Sequence, residues 1–352
     1  MMTSKERMMR ALNREKPDRL PVTIHQWQGL HLDKYMGGMS ALQACQTCGL
    51  DAALQYFEAM GQFWIPNAER FAVSTPEWRD EMTVVDTSPD HKVIHHTIHT
   101  PGGVLTYKTE ADRKTTWITE YLIKRHEDVE LIDRYMPVAR LNKDAIAREY
   151  DELGDAGIMR GWVWGDQAGC WQHACCLMDA QELILATFDD PDWVHTLLQA
   201  LLRKKLQFID ESLKGATLDL IETGGGAGSD TVISPDLHRD FCLPYDRQMH
   251  DALHAVGLKS TYHTCGGMVH ILDHILANGT DASETLAPCG VGGNIVDRMK
   301  VQRTFRGKVA MIGGMDQFNV LTSGTPAQIR AETHDLFRTF GADGGYISAA
   351  SD

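Results

Sequence analysis

The chain has 352 residues, 43% hydrophobic and 23% charged, a balance that suits a soluble folded protein with a large core and excludes a disordered one. Its formal net charge of −14 removes nucleic acids and anionic membrane surfaces from the candidate partners, because both need clustered Lys and Arg. The basic run Arg203-Lys204-Lys205 is short and mid-helix, no apolar run approaches the ~18 residues of a membrane span, and no signal-peptide core follows the N-terminus, so the cytoplasm is the expected address.

In chain order, Ser4 caps a helix to about residue 13, closed by Pro17. An apolar strand follows at 20–24, with a polar and aromatic tip, His25-Gln26-Trp27-Gln28. A helix at 40–48 carries Cys45 and Cys48, but a redox C-x-x-C would open a helix after a strand, so these two read as structural thiols. The second strand is at 52–57. Alternating runs between about 72 and 123, separated by Ser-Pro-Asp and Pro-Gly-Gly turns, read as antiparallel hairpins inserted after it. Within them, His95 and His96 must face opposite sides, which argues against a four-histidine metal site with His91 and His99.

Helices then alternate with short strands at 157–164, 218–223, 258–263, 281–286, 308–313 and 345–350. Eight short strands, nearly all followed by a helix, predict a (β/α)8 TIM barrel over 1–352 with the β-rich insertion; a doubly wound sheet with a small β domain is the alternative.

In such a barrel the chemistry gathers where strands end, on the loops that follow them. Those ends carry Gln26/Trp27, Glu58, Trp162/Trp164/Asp166, Glu222, His263/Cys265, Glu284, Asp316 and Asp352. His263 and Cys265, two apart, point to one side, and an imidazole with a thiolate suits zinc better than magnesium or calcium; the alternative is a packed strand end. Glu284, on the neighbouring strand, offers a third ligand or else a surface or capping carboxylate. Cys289 lies in a Gly-rich loop that can fold its thiol back toward such an ion or bury it. Glu222 precedes Gly224-Gly225-Gly226 and reads as a carboxylate supporting the ligands or bonding a substrate. Trp162 and Trp164, on one strand face, suit a flat apolar ligand wall, with Trp27 nearby, although all three could be core.

Several segments, Glu6-Arg7-Met8-Met9-Arg10-Ala11-Leu12, Leu220-Ile221-Glu222-Thr223-Gly224, His263-Thr264-Cys265-Gly266-Gly267, Ile312-Gly313-Gly314-Met315-Asp316 and Gly344-Gly345-Tyr346-Ile347, resemble the uroporphyrinogen decarboxylase superfamily. The His-x-Cys-Gly stretch is similar to its zinc methyltransferase branch, which serves corrinoid proteins and includes coenzyme M and O-demethylase methyltransferases. The resemblance implies a (β/α)8 barrel, a Zn2+ site and a corrinoid on a partner protein. The decarboxylases' Arg-rich segment after the first strand is absent, and the usual late zinc-ligand Cys is replaced by Ser351-Asp352. The expected ligands are therefore His263, Cys265 and Glu284, with Asp352 or Cys289 as further candidates. Glu222 or Asp166 would handle a proton, and Trp27, Trp162 and Trp164 would bind substrate. The expected activity is methyl transfer between an O-methyl compound, an aryl methyl ether for preference, and a separate corrinoid protein; a homodimer is a candidate state. The alternatives are a metal-independent lyase acting on a smaller carboxylic acid and a non-catalytic binding protein.

Overall fold

The computed structural model describes residues 1–56, 75–88, 91–113, 115–165 and 168–351. Strand β1 (Ala52–Gln55) is followed by an antiparallel group: β2 (Arg79–Ser88), β3 (His91–Thr100), β4 (Gly103–Ala111) and β5 (Thr116–Glu120). Parallel strands then recur as β6 (Gly157–Trp162), β7 (Leu220–Gly224), β8 (Ser260–His263), β9 (Ala282–Thr285), β10 (Ala310–Met315) and β11 (Tyr346–Ala350). The parallel sheet runs β1-β6-β7-β8-β9-β10-β11, and the inserted strands form their own sheet, β2-β3-β4-β5.

The segment around Val22 closes the curled sheet. Thr23 N–H donates to Ser348 O at 2.9 Å, Ser348 N–H to Pro21 O at 2.9 Å, and Asp51 N–H to Val22 O at 2.8 Å. It bonds to both edges and acts as the first stave, completing a (β/α)8 barrel. Only Val22 forms a ladder bridge, so the strand expected over 20–24 is an extended stave instead. Pro21 has no N–H to give a ladder, which is one physical reason for its brevity.

Helix α1 (Ser4–Leu12) opens on a capping box between Thr3 and Glu6. Its buried Met8, Ala11 and Leu12 pack with Ala53, Ile158, Leu220, Ala282, Ala310, Ile312 and Ile347. That cluster fills one end of the barrel. Because strand side chains alternate, the residues two further along face the same interior: Gln55 after Ala53, Arg160 after Ile158, Glu222 after Leu220 and Glu284 after Ala282. An apolar layer thus gives way to a polar one within a single step of each strand. The residues between them face the helices, where Met159 and Ile221 belong, with Val163, to a separate core that includes the helix Pro191–Phe208.

The helix expected over 234–255 is two helices, Pro235–Phe241 and Leu243–Ala255, with Cys242 between them and Pro244 in the first turn of the second. The one expected over 267–278 narrows to Leu272–Ala277. No helix among the described residues is long and apolar enough to cross a membrane.

Candidate functional site at the barrel centre

Glu222, His263 and Glu284 come from three adjacent strands, whose parallel register pairs Gly224 with His263 and His263 with Glu284. All three side chains are buried. Nδ1 of His263 lies 3.4 Å from Glu222 Oε1 and 3.4 Å from Glu284 Oε1. Arg160 Nη2 donates to Glu222 Oε2 at 3.0 Å and to Glu284 Oε1 at 2.6 Å, so one guanidinium nitrogen spans both carboxylates. From across the barrel, His25 Nε2 stands 3.7 Å from Glu222 Oε2, and Nδ1 stands 4.0 Å from Glu284 Oε2. One ligand atom from each of His25, Glu222, His263 and Glu284 can be chosen so that all lie within 4.8 Å of one another.

The electrostatics follow from two buried carboxylates facing one guanidinium and two imidazoles. Burial alone would raise the pKa of Glu284, but the nearby Arg160 charge and the His263 hydrogen bond outweigh it and hold it well below the usual carboxylate range. Burial opposes a charge on His263 as well, yet Glu222, Cys265 and Glu284 together hold its pKa well above the ordinary imidazole value. His25 goes the other way. Burial pushes it down to about 3, with Arg160 and His263 adding to the fall and Glu284 opposing it, so it is a neutral imidazole with a lone pair to offer. Glu284 Oε2 is buried without a hydrogen-bond partner. A polar group left so usually has a functional reason.

Cys265 follows β8 and is half-buried, with its side chain in hydrogen-bond contact with His263. The thiol stands outside the compact group of four. Gly226 makes room for it: a Cβ there would meet Cys265 Sγ at 2.6 Å. Gly226 thus admits the chain's own sulfur.

The expected substrate wall separates into three places. Trp162, half-buried, ends β6 in register with Glu222 and lies at the polar layer. Trp164 falls beyond the end of β6, where the period of two no longer holds. It is 2% exposed, its ring is edge-on to His173, and Lys205 Nζ donates to its carbonyl at 2.5 Å, so the shared face with Trp162 is corrected: Trp164 belongs to the helix-facing core. Trp27 donates its indole N–H to Cys45 Sγ at 3.3 Å and lines a side cavity with Leu42 and Leu54. Cys289 is exposed and lines a different cavity with Arg298 and Asp316, while Asp316 caps the turn after β10 through Phe318 N–H and Asn319 N–H. Glu58, Asp166 and Asp352 lie outside the described residues.

The sequence reading missed Arg160 and gave His25 no role. Arg160 sits mid-strand, in Gly157-Ile158-Met159-Arg160-Gly161-Trp162, where a search of strand ends does not look. The available signal was a charged residue inside an otherwise apolar strand.

Residues 84–351 match the family described as uroporphyrinogen decarboxylase (URO-D). The chain belongs to that family. Uroporphyrinogen decarboxylases of two Coxiella burnetii strains, Dugway 5J108-111 and RSA 493, are 24% identical to this member over 354 residues, covering 97% of this chain and 88% of theirs. A solved methyltransferase from Methanosarcina mazei shares the fold with a TM-score of 0.62 at 15% identity, covering 100% of this chain and 93% of that one. As a URO-D family barrel, the protein keeps its polar layer at the strand ends, where barrel enzymes hold their active sites.

Proposed function

We propose that this protein transfers a methyl group between a small O-methyl compound, preferably an aryl methyl ether, and a corrinoid carried by a separate protein, at a zinc site of His263, Cys265 and Glu284. The observation that carries the reading is the spacing around His263. Its Nδ1 is 3.4 Å from an oxygen of each glutamate, longer than a good N–H···O bond of about 2.7–3.2 Å. Two donors that each bind one tetrahedral ion at about 2.0–2.1 Å lie about 3.4 Å apart. The partnerless Glu284 Oε2 fits the same ion, and the Cys265 thiol, bonded to His263, stands beside the group as the proposed sulfur ligand. Family membership and the fold shared with the Methanosarcina mazei methyltransferase support an enzyme of this type.

When bound, zinc supplies a Lewis acid for the ether oxygen, and the partner's corrinoid supplies a methyl acceptor. The chain does the rest. Arg160 bonds to both Glu222 and Glu284 and holds them turned toward β8. His263 must give up its proton to become a ligand, and Glu222 Oε1, at 3.4 Å, is placed to take it; Asp166 is the second candidate for the proton. Trp162 offers an apolar face beside Glu222 for an aromatic ring.

The test is dialysis against a chelator, then metal analysis and a methyl-transfer assay with a methoxyarene and reduced corrinoid protein. Activity should vanish with the metal and return with zinc. Full activity in a metal-free His263→Ala, Cys265→Ala double variant would sink the proposal. The Coxiella burnetii relatives are named uroporphyrinogen decarboxylases, which supports decarboxylation as a second reading, taken here on a smaller acid and without metal. Arg160 stands against it, because its guanidinium is already shared by two glutamates.

A further inference from the structure

We infer that His25 is a protein ligand of the proposed ion, reaching it from the stave that closes the barrel. This rests on the zinc reading above and extends it to a residue on the opposite wall. In the order of staves, the segment around Val22 is first, and the strands bearing Glu222, His263 and Glu284 are fourth, fifth and sixth. His25 therefore faces His263 across the barrel's diameter.

The contacts bear this out. The His25 side chain is only 15% exposed, and its ring meets that of His263 edge-on, with centroids 5.1 Å apart and planes at 66°. Its nitrogens stand 3.7 Å from Glu222 Oε2 and 4.0 Å from Glu284 Oε2. Neither is a hydrogen bond, and among the described residues neither nitrogen has one. Both separations fall between the tetrahedral edge of about 3.4 Å and the trans span of about 4.1 Å expected for two ligands on one ion. The oxygen that His25 Nδ1 approaches is the one Glu284 leaves buried and partnerless. A small cavity of about 10 Å³ borders them, lined by His25, Arg160, Glu284 and Ile312 among others.

A consequence follows for the fold. Three backbone bonds hold the stave to its neighbours, and a His25 ligand would strap it to the far wall. Zinc should then stabilise the barrel as well as load its site, since binding to the folded state alone raises its stability.

The experiment is chelator-competition titration of metal-free protein with Zn2+ and Co2+, comparing wild type, His25→Ala and His263→Ala. His25→Ala should bind each ion at least about tenfold more weakly. It should also lose most of the rise in unfolding temperature that zinc gives the wild type, with its metal-free unfolding temperature unchanged. Affinity within twofold of wild type would overturn the inference while His263→Ala, if weakened, left the zinc reading standing. If wild type and His263→Ala bind equally, the zinc reading itself falls. Should His25→Ala misfold, diethylpyrocarbonate modification of His25 in the wild type, mapped by peptide mass, decides: zinc should suppress it, and an unchanged extent overturns the inference.

Discussion

Two of the regions in which histidines meet carboxylates show different outcomes. In the antiparallel sheet, His91 pairs with Glu110 at 3.0 Å, His96 with Asp80 at 3.1 Å and His99 with Glu81 at 3.2 Å. Each imidazole finds its own carboxylate across one strand pair, at ordinary hydrogen-bond length. At the barrel centre, two imidazoles, two carboxylates and a guanidinium share one space, and the imidazole–carboxylate distances stretch to 3.4–4.0 Å. The difference is topological. A flat sheet sends alternate residues to opposite faces, so His95 and His96 diverge, whereas a closed barrel turns alternate residues of every strand toward one axis. Composition alone would not separate the two regions. Convergence does.

The sharpest way to break the contrast is to remove the guanidinium. Arg160→Met leaves two buried carboxylates without their cation, and losing one partner of a buried ion pair typically costs about 3–5 kcal/mol. Urea unfolding of the metal-free variant should show a loss of that size, and added zinc should return part of it. A loss below ~1 kcal/mol would mean that the carboxylates are not held as a charged pair. Next in size, His263→Ala should cut both zinc affinity and methyl transfer by about a hundredfold or more, beyond what loss of a merely supporting partner costs. Titration and turnover measured on one preparation would check this, and unchanged affinity would place the ion elsewhere.

A third effect is a pH profile with two limbs, read from urea midpoints of the metal-free protein. Glu284, depressed in the fold, contributes stability that is whole above its ordinary value of about 4.5 and fades as pH falls toward its depressed one. His263, raised in the fold, contributes stability that is whole below about 6.5 and is lost as pH climbs through its elevated value. Buried Asp246, pushed up to about 7 chiefly by desolvation, adds a slope of the His263 sign as pH rises toward that value. An Asp246→Asn background removes this slope. In that background Glu284→Gln should make the acid limb shallower and His263→Gln the alkaline one. The part of the acid limb that remains has the same sign and comes from His25, His238 and His250, each pushed down to about 3 by burial, which contribute below about 6.5. A profile indifferent to both substitutions would show that the centre is not charged as described.

How far the sequence reached can be judged at particular residues. Strand ends are legible because an apolar run stops at a polar residue, and that rule found Glu222, His263, Cys265 and Glu284. It overlooked Arg160, which precedes the end of β6 by two residues, and it gave His25 no role, because His25 ends a stave with almost no ladder of its own. It placed Trp164 on a shared face by extending β6 two residues past its last paired residue, Trp162. Periodicity predicts orientation only while the strand lasts. The barrel itself, with the 20–24 segment as its first stave, was legible from the alternation of strands and helices; that this stave would be held by so few backbone bonds was not.

The smallest expected effect tests the sheet's side of the comparison. His96 is buried, stacked on Tyr107 with centroids 4.0 Å apart, and bonded to Asp80 and Thr109. If its role is local, His96→Ala should cost stability on the order of 1–3 kcal/mol, since it leaves the Asp80 carboxylate with one fewer partner. Tyr107 O–H still donates to Asp80 Oδ2 at 3.3 Å, which keeps that cost toward the lower end. Zinc affinity and methyl transfer should stay at wild-type values, because the sheet contributes no atom to the group at the barrel centre. A fall in zinc stoichiometry in His96→Ala would mean that the sheet holds a cation after all, and that pairing each histidine with its own carboxylate is no barrier to binding one.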